Sequence, residues 1–340
     1  MWRWDPFLLS LLAATLAAGC GTPGAELVSI RKIWDQAPHS AFTDLVRFRD
    51  RWFCTFREGE SHVSSDGTIR IITSADGETW SSIAHFPRKP GQDLRDPKLE
   101  VTPDGRLMAL ALDRRDLAED HLEFYSLVWF STDGKEWSVP QRVGEPDFLL
   151  WRVTWHEGTA YGGAYADHRA AGHRPSQDEF VRLYKSEDGL RFETLVPVLF
   201  DRGSPNETAI VFRDDGTAVC LLRRDGKDNT AQIGTSQPPY TQWNWKDLNV
   251  VIGGPGLLVL PDGRLVASGR QHRADGERRT LLWWIDTEAA TATEILELPS
   301  GGDTSYAGMV LYEGLLWISY YSSHEDKTSI YLAKVALPGV

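Results

Sequence analysis

The chain has 340 residues, 41% apolar and 25% charged, a composition typical of a folded globular protein. Its formal charge is −12, from 36 basic and 48 acidic residues, and no run of basic residues occurs, so we expect no nucleic-acid partner and no binding surface for anionic membranes. The three cysteines, Cys20, Cys54 and Cys220, are too few for a disulfide framework, and no spacing of Cys and His predicts a metal site, so we expect neither metal nor cofactor.

Residues 1–19 have the order of a secretory signal peptide. Arg3 lies in a short front, an apolar stretch runs from Pro6 to Ala18, and small residues precede Cys20. The apolar stretch is too short for a permanent membrane helix. The ending Leu-Ala-Ala-Gly-Cys resembles the lipobox of bacterial lipoproteins. That resemblance implies a lipidated Cys20, a tether over residues 20–26 and an extracytoplasmic, membrane-anchored location; an ordinary signal with an incidental cysteine is the alternative.

From residue 27 to the C-terminus, one pattern repeats about every fifty residues. An acidic residue followed by glycine, or Asp50-Arg51 in the first copy, precedes a strand-like apolar run at six places. Polar turns that end in an aromatic residue lie between them: SADGETW from residue 74, STDGKEW from 131 and SEDGLRF from 186. The repeats predict an all-β chain folded as a six-bladed β-propeller of four-stranded blades over residues 27–340. Pairing of residues 329–335 with residues 27–33 is expected to close the ring.

Aligning the repeats places polar residues at equivalent strand positions. Propellers bind ligands where equivalent strand ends meet at the central axis. Three arginines at one such position of an acidic protein indicate a site for an anion or a carboxylate. This first ring, seven residues after the turn glycine or six after Arg51 in the first copy, contains Arg57, Leu112, Tyr165, Arg223, Arg270 and Tyr321. A second ring, counted backward from the turns, contains Thr43, Asp44, Asp96, Arg152, Glu207 and Tyr306.

The S-x-D-G-x-x-W turns resemble, in a form shortened by one residue, the Asp boxes of the sialidase (neuraminidase) superfamily. Two further segments are similar to more specific sialidase motifs: Asn206-Glu207, followed sixteen residues later by Arg223, and the segment 302–306 of the last repeat, which ends in Tyr306. The resemblance implies an exo-acting glycoside hydrolase with Tyr306 as nucleophile and Glu207 as its base. It further implies a clamp of Arg57, Arg223 and Arg270 on the carboxylate of a terminal acidic sugar.

One motif departs from the family. Sialidases carry Arg-Ile-Pro near the start of the first blade, whereas this chain has Phe42-Thr43-Asp44-Leu45, with Thr43 in the place of the arginine. This departure leaves sialic acid itself open as the substrate. The acid/base catalyst is expected in the long connection 58–67, where Asp66 best matches the family's residue and His62 competes with it.

Two other functions stay open on the sequence. A catalytically inactive, glycan-binding propeller is favoured by the departure at Thr43. A glycosidase or lyase of different sugar specificity would use His62, Asp44 or Asp96, and Tyr321 is a further candidate for substrate contact. In each case the expected partner is a glycan or glycoconjugate.

Overall fold

The computed structural model of the protein describes residues 24–118, 121–166, 179–226 and 229–340. Within these ranges the regular secondary structure consists of β-strands alone. The strands form six sheets, which are the blades of a β-propeller. The predicted all-β, six-bladed fold is therefore confirmed. The predicted signal peptide and Cys20 lie outside the described residues, and no helix among the described residues is long and apolar enough to cross a membrane.

The strands follow one another blade by blade around the ring. Strand β1 (Glu26–Trp34) belongs to the last blade. Blade 1 comprises β2 (His39–Phe48), β3 (Arg51–Gly59), β4 (Thr68–Ser74) and β5 (Ser81–Phe86). Blade 2 comprises β6 (Gln92–Val101), β7 (Leu107–Ala118), β8 (His121–Ser131) and β9 (Gln141–Val143). Blade 3 comprises β10 (Phe148–Leu150), β11 (Thr154–His156), β12 (Thr159–Ala166), β13 (Val181–Ser186) and β14 (Glu193–Phe200). Blade 4 comprises β15 (Pro205–Phe212), β16 (Ala218–Arg224), β17 (Gln232–Ser236) and β18 (Asn244–Asp247). Blade 5 comprises β19 (Gly253–Val259), β20 (Leu265–His272), β21 (Arg278–Asp286) and β22 (Thr291–Leu298), and blade 6 comprises β23 (Thr304–Tyr312), β24 (Leu315–Ser322), β25 (Ser329–Ala336) and β1.

The two ends of the chain close the ring. Strand β1 pairs antiparallel with β25, with Leu27 opposite Val335 and Ile30 opposite Ala333, so the predicted closure is confirmed. This pairing covers an edge strand that an open array would leave exposed. Blade 3 differs from the predicted four strands, because its innermost strand is broken into β10 and β11, which both pair with β12.

The three aromatic-ended turns share their serine and aspartate hydrogen bonds and join neighbouring blades. In the first, the Ser74 hydroxyl accepts the Gly77 N–H at 2.8 Å, and the Trp80 indole donates to the Gly77 carbonyl at 3.1 Å. Asp76 accepts the N–H groups of the two residues that follow Gly77. Gly77 packs directly against the Trp317 ring of blade 6. The equivalent glycines of the other two turns, Gly134 and Gly189, meet Phe53 of blade 1 and Phe130 of blade 2.

Gly77→Ala is expected to destabilise the protein more than Gly91→Ala does. The two glycines have similar φ values of 75° and 73°, so both variants carry the left-handed strain of about 1–2 kcal/mol. A Cβ at Gly77 would lie 2.3 Å from the Trp317 ring, whereas no atom of the described residues lies within 4 Å of one at Gly91. This overpacking should cost about 1–3 kcal/mol more in urea unfolding. Equal losses in the two variants would contradict the role of this turn in joining blades.

The cores lie between adjacent blades and contain both described cysteines. Cys54 packs with Trp52 of blade 1 and with Trp317 and Leu332 of blade 6. Cys54 and Cys220 are fully buried and form no disulfide within the described residues. Burial raises the pKa of both thiols well above the usual value, so neither is a reactive thiolate at neutral pH.

The innermost strands of five blades have an irregularity at the same end. The antiparallel register shifts between Ala41 and Asp44, Arg95 and Lys98, Pro205 and Thr208, Gly253 and Gly256, and Ser305 and Gly308. At four of these bulges a residue has positive φ: Phe42 (61°), Asp96 (49°), Gly254 (60°) and Tyr306 (53°). Bulges of this kind re-aim side chains and are frequent beside active sites. Here they occur where the six innermost strands converge.

Candidate active site

A cavity of about 350 Å³ lies at the bulged ends of the innermost strands. Residues from five blades line it, and most of them are polar or charged. His62, Asp96, Glu207, Arg223 and Tyr306 all line it. These five sequence candidates come from four blades and meet at one cavity, which Leu112 and Tyr165 of the first ring also line.

At the centre of the site, a tyrosine, a glutamate and an arginine are in mutual contact. The Tyr306 hydroxyl donates to Glu207 Oε1 at 2.7 Å. Arg223 Nη1 lies 2.7 Å from the same oxygen and 3.0 Å from the Tyr306 hydroxyl. The N–H of Gly254 donates to the second oxygen, Glu207 Oε2, at 3.0 Å. Glu207 is thus held by two other groups in a position to accept the phenolic proton.

The environment keeps Tyr306 protonated at neutral pH. Burial raises the pKa of Tyr306 well above its usual value of about 10, and the charge of Glu207 raises it further. The positive charges of Arg223 and Arg270 oppose this rise. A protonated phenol is a poor nucleophile unless a base takes its proton, and Glu207 is the carboxylate that accepts its hydrogen bond.

Thr43, which replaces the family's first-blade arginine, supports Tyr306 from behind. Its buried hydroxyl donates to the carbonyl of Tyr306 at 2.8 Å and accepts from Ser319 at 3.0 Å. The rings of Phe42 and Trp151 pack edge-on against Tyr306, with centroids 5.2 and 5.5 Å away. Thr43 therefore fixes the strained backbone of the tyrosine and leaves no cation at this position.

Two of the three expected clamp arginines reach Tyr306. Arg223 contacts its hydroxyl, and Arg270 lies with its guanidinium carbon 5.6 Å from the centroid of the tyrosine ring. Arg57 does not reach it. Arg57 is fully buried and donates to Asp93 at 2.9 Å and to the carbonyls of Ser61 and Ser64, so that it holds the 58–67 connection.

Arg95 and Arg114 line the cavity, although sequence reasoning did not single them out. The guanidinium carbon of Arg95 lies 5.1 Å from the centroid of the Phe42 ring, and its Nη1 donates to Asp93 at 3.2 Å. Arg95 immediately precedes Asp96, which was singled out, and the first-ring position of this repeat holds Leu112. Selecting residues at the first-ring position therefore did not identify Arg95.

The two candidates for the acid/base catalyst lie in different surroundings. Asp66 is absent from the cavity lining. Its carboxylate accepts the N–H of Glu60 at 3.0 Å and lies 3.8 Å from Arg57, so its contacts stabilise the 58–67 connection. His62 lines the cavity.

The remaining sequence candidates divide between the cavity and its surroundings. Asp44 is buried and is paired with Arg152 at 3.1 Å, away from the cavity lining. Asp96 lines the cavity, and burial raises its pKa although Arg95 and Lys98 act in the opposite direction. Tyr321 is buried, and its hydroxyl donates to Asp303 at 3.0 Å, so it contacts the site through Asp303.

Asp303 is the centre of a cluster beside the cavity. Its Oδ2 atom lies 2.6 Å from His62 Nδ1 and 2.9 Å from His39 Nε2, while Oδ1 accepts from Tyr321. Arg270 Nη1 lies 3.8 Å from Oδ1. Burial alone would raise the pKa of Asp303, but the hydrogen bonds from His39 and His62 outweigh it and hold this pKa far below the usual range. Sequence reasoning missed Asp303 and His39, although Asp303 lies within the segment 302–306 that identified Tyr306.

Neither a protein-family model nor a curated protein matches the chain. Among solved structures, it is similar to a protein of unknown function from Dyadobacter fermentans, with a TM-score of 0.79, 22% identity and coverage of 93% of this chain and 100% of that one. An α-L-arabinofuranosidase from Fusarium graminearum, solved with an iminosugar inhibitor, aligns with a TM-score of 0.68, 13% identity and coverage of 91% and 98%. A Trypanosoma rangeli sialidase in complex with sialic acid aligns with a TM-score of 0.65 and 15% identity, over 93% of this chain and 59% of that one. These similarities show a propeller fold shared with glycoside hydrolases.

Proposed function

We propose that the protein is a glycoside hydrolase that removes a terminal sugar from a glycan, with Tyr306 as nucleophile and Glu207 as the base that activates it. The observation that carries the proposal is the 2.7 Å hydrogen bond from the Tyr306 hydroxyl to Glu207 at the cavity, with Arg223 in contact with both. A tyrosine becomes an effective nucleophile only when an adjacent base takes its proton. Sialidases use a tyrosine nucleophile. The cavity volume lies near the lower end of the range of about 300–1,000 Å³ for small-ligand pockets, which suits one terminal sugar.

We propose further that the sugar carries a carboxylate. Arg223 and Arg270 flank Tyr306, and Arg95 lines the cavity on the side of Phe42. Guanidinium groups bind carboxylates through paired, charge-assisted hydrogen bonds. Arg95 would serve as the third cation, because Arg57 is engaged in holding the 58–67 connection.

Arg270→Ala is expected to weaken binding of a carboxylated sugar by roughly 1.5–3 kcal/mol, the range for a lost hydrogen bond to a charged group. Calorimetry should be done with Tyr306→Phe as the parent protein, so that turnover does not consume the ligand. The same sugar with its carboxylate converted to an amide is the control, and its affinity should change much less. Equal losses for acid and amide would contradict a carboxylate clamp.

A two-carboxylate glycosidase acting on an uncharged sugar is the second candidate. Asp96 and Glu207 line one cavity, and the raised pKa of buried Asp96 is what a general acid needs. Arg95 and Arg223 of the cavity lining, and Arg270 beside the Tyr306 ring, each lie within 4 Å of a carboxylate of the chain, which reduces their need for an acidic ligand. The similar Fusarium graminearum enzyme is an arabinofuranosidase. A panel of chromogenic sialosides, uronides and arabinofuranosides separates the candidates, and binding without turnover of any would indicate a glycan-binding propeller.

We propose that Cys20 carries a lipid that anchors the propeller on the extracytoplasmic side of a membrane. Cys20→Ala is then expected to move the protein from the membrane fraction to the soluble fraction, because stable anchoring needs the acyl chains. Cys54→Ala is unsuitable as a control because Cys54 is in the core, so a substitution in the polar tether, Thr22→Ala, serves instead. Unchanged membrane fractionation of Cys20→Ala would contradict the anchor.

A further inference from the structure

The cluster around Asp303 determines where its protons lie. Nδ1 of His39 is buried and has no hydrogen-bond partner among the described residues. The proton of the neutral imidazole therefore belongs on Nε2, where it is donated to Asp303 Oδ2. Asp303 also accepts from Tyr321, and it is an anion with its pKa far below the usual range. An anion at 2.6 Å from His62 Nδ1 requires a proton on that nitrogen as well.

His62 is the member of the cluster that is open to the cavity. Its side chain is 42% exposed, against 17% for Asp303 and 8% for His39. With Nδ1 committed to Asp303, Nε2 is the ring nitrogen left for the cavity that His62 lines. A buried carboxylate that fixes one nitrogen of an accessible imidazole selects its tautomer and stabilises the imidazolium, as in serine-protease triads.

The surrounding structure fixes His62 on the same side of the site as the nucleophile. Arg57 donates to the carbonyls of Ser61 and Ser64, the residues that bracket the segment with His62. The Phe42 ring lies 5.1 Å from the His62 ring and 5.2 Å from the Tyr306 ring, both edge-on. His62 and Tyr306 therefore lie on one cavity with Phe42 in contact with both.

We infer that His62 is the acid/base catalyst of this site and that Asp303 is its positioning residue, an inference that rests on the proposed glycosidase function. In the first step the Tyr306 oxygen bonds to the anomeric carbon as its proton passes to Glu207. The bond to the leaving group breaks, and the leaving oxygen takes the Nε2 proton of the His62 imidazolium. In the second step Nε2 takes a proton from water, whose oxygen attacks the anomeric carbon, and Tyr306 leaves with the proton from Glu207. The sum is one water consumed per glycosidic bond.

The same three residues offer atoms for a divalent metal ion, since Nε2 of His39, Nδ1 of His62 and a carboxylate oxygen of Asp303 lie within 4.8 Å of one another. Metal ligation by His39 Nε2 would place the imidazole proton on Nδ1, a buried nitrogen for which the described part of the chain offers no acceptor. A ligating histidine usually donates its other N–H to a partner. The cluster therefore fits a hydrogen-bonded relay better than a metal centre.

The leaving group of the substrate tests the assignment. A dinitrophenyl glycoside needs no acid, whereas an alkyl glycoside of the same sugar does. His62→Ala should lower kcat on the alkyl glycoside by about 10²–10⁴-fold and on the dinitrophenyl glycoside by less than about tenfold. Asp303→Asn should show the same selectivity to a smaller degree, which a merely structural role would not produce. His85→Ala, an exposed histidine on β5, is the matched control and should change neither rate.

Other outcomes overturn the inference. The selective loss would appear in Asp66→Asn or Asp96→Asn instead of His62→Ala if a carboxylate were the acid. An equal loss of kcat on both substrates in His62→Ala and His62→Gln, with folding checked by circular dichroism, would also overturn it. So would a loss of activity on dialysis against a chelator, if added zinc restored that activity. The proposed function is tested separately by hydrolysis of the dinitrophenyl glycoside, which wild-type protein should perform and Tyr306→Phe should not.

Discussion

Tyr306→Phe is expected to lower kcat by about 10³-fold or more while substrate affinity changes little. Phenylalanine keeps the ring that packs against Phe42 and Trp151, but it removes the oxygen that would form the glycosyl bond. Steady-state kinetics on the best glycoside of the panel measures the loss, and calorimetry measures the affinity.

Tyr125→Phe is the matched control for this substitution. Tyr125 donates to Glu123 at 3.1 Å on β8, and it does not line the cavity, so the control removes a similar hydrogen bond elsewhere in the propeller. Its kcat should equal that of the wild type. Turnover of Tyr306→Phe at the wild-type rate would exclude tyrosine as nucleophile and favour the carboxylate pair of Asp96 and Glu207.

Glu207→Gln is expected to have the second largest effect, a fall in kcat of about 10²–10⁴-fold, because the amide no longer takes the phenolic proton. Glutamine keeps the volume of the side chain, and its carbonyl oxygen in the place of Oε1 still accepts from Arg223, while its NH2 group takes the place of Oε2, the oxygen that accepts from Gly254 in the glutamate. The fold should therefore be preserved, and Asp225 still pairs with Arg223. Steady-state kinetics measures the loss, and thermal unfolding checks the fold.

Glu288→Gln, at a 91% exposed side chain on blade 5, controls for the loss of one negative charge. It should leave kcat unchanged. A rise in KM without a fall in kcat in Glu207→Gln would contradict the proposed role, since that pattern marks a residue that only binds substrate.

The fold could be predicted from the sequence because its signals are local. Each acidic-Gly turn and each aromatic-ended turn is encoded within a few residues, and the repeat adds one copy per blade. The antiparallel closure of β1 on β25 followed from counting strands. The split of the innermost strand of blade 3 into β10 and β11 was not predictable from local sequence. It depends on contacts of the segment around Trp151 and Arg152 with other blades, such as the ion pair of Arg152 with Asp44 of blade 1.

The site was predictable in part for a related reason. Residues at equivalent strand positions share a height in the ring, so counting placed Arg223 and Arg270 together in the first ring and Glu207 and Tyr306 together in the second. Arg57 shares that position, yet its partners come from blade 2 and from its own connection, and they hold it away from the cavity. Strand position fixes the place of the Cα atom, whereas hydrogen-bond partners distant in sequence fix the direction of the side chain.

The pairing of His39 with Asp303 has no local signal. The two residues are 264 positions apart and meet only because the last blade closes against the first. A count along the chain cannot reveal such a contact. It requires the closed ring, in which the end of blade 6 lies beside the start of blade 1.

The most direct test of the account is to trap the covalent intermediate. A fluorinated glycoside of the sugar class that the protein hydrolyses slows the second step, and peptide mass spectrometry after digestion locates the sugar. We predict a single sugar attached to the peptide that contains Tyr306, with none formed by Tyr306→Phe. A sugar attached to Glu207 or Asp96 instead would contradict the account.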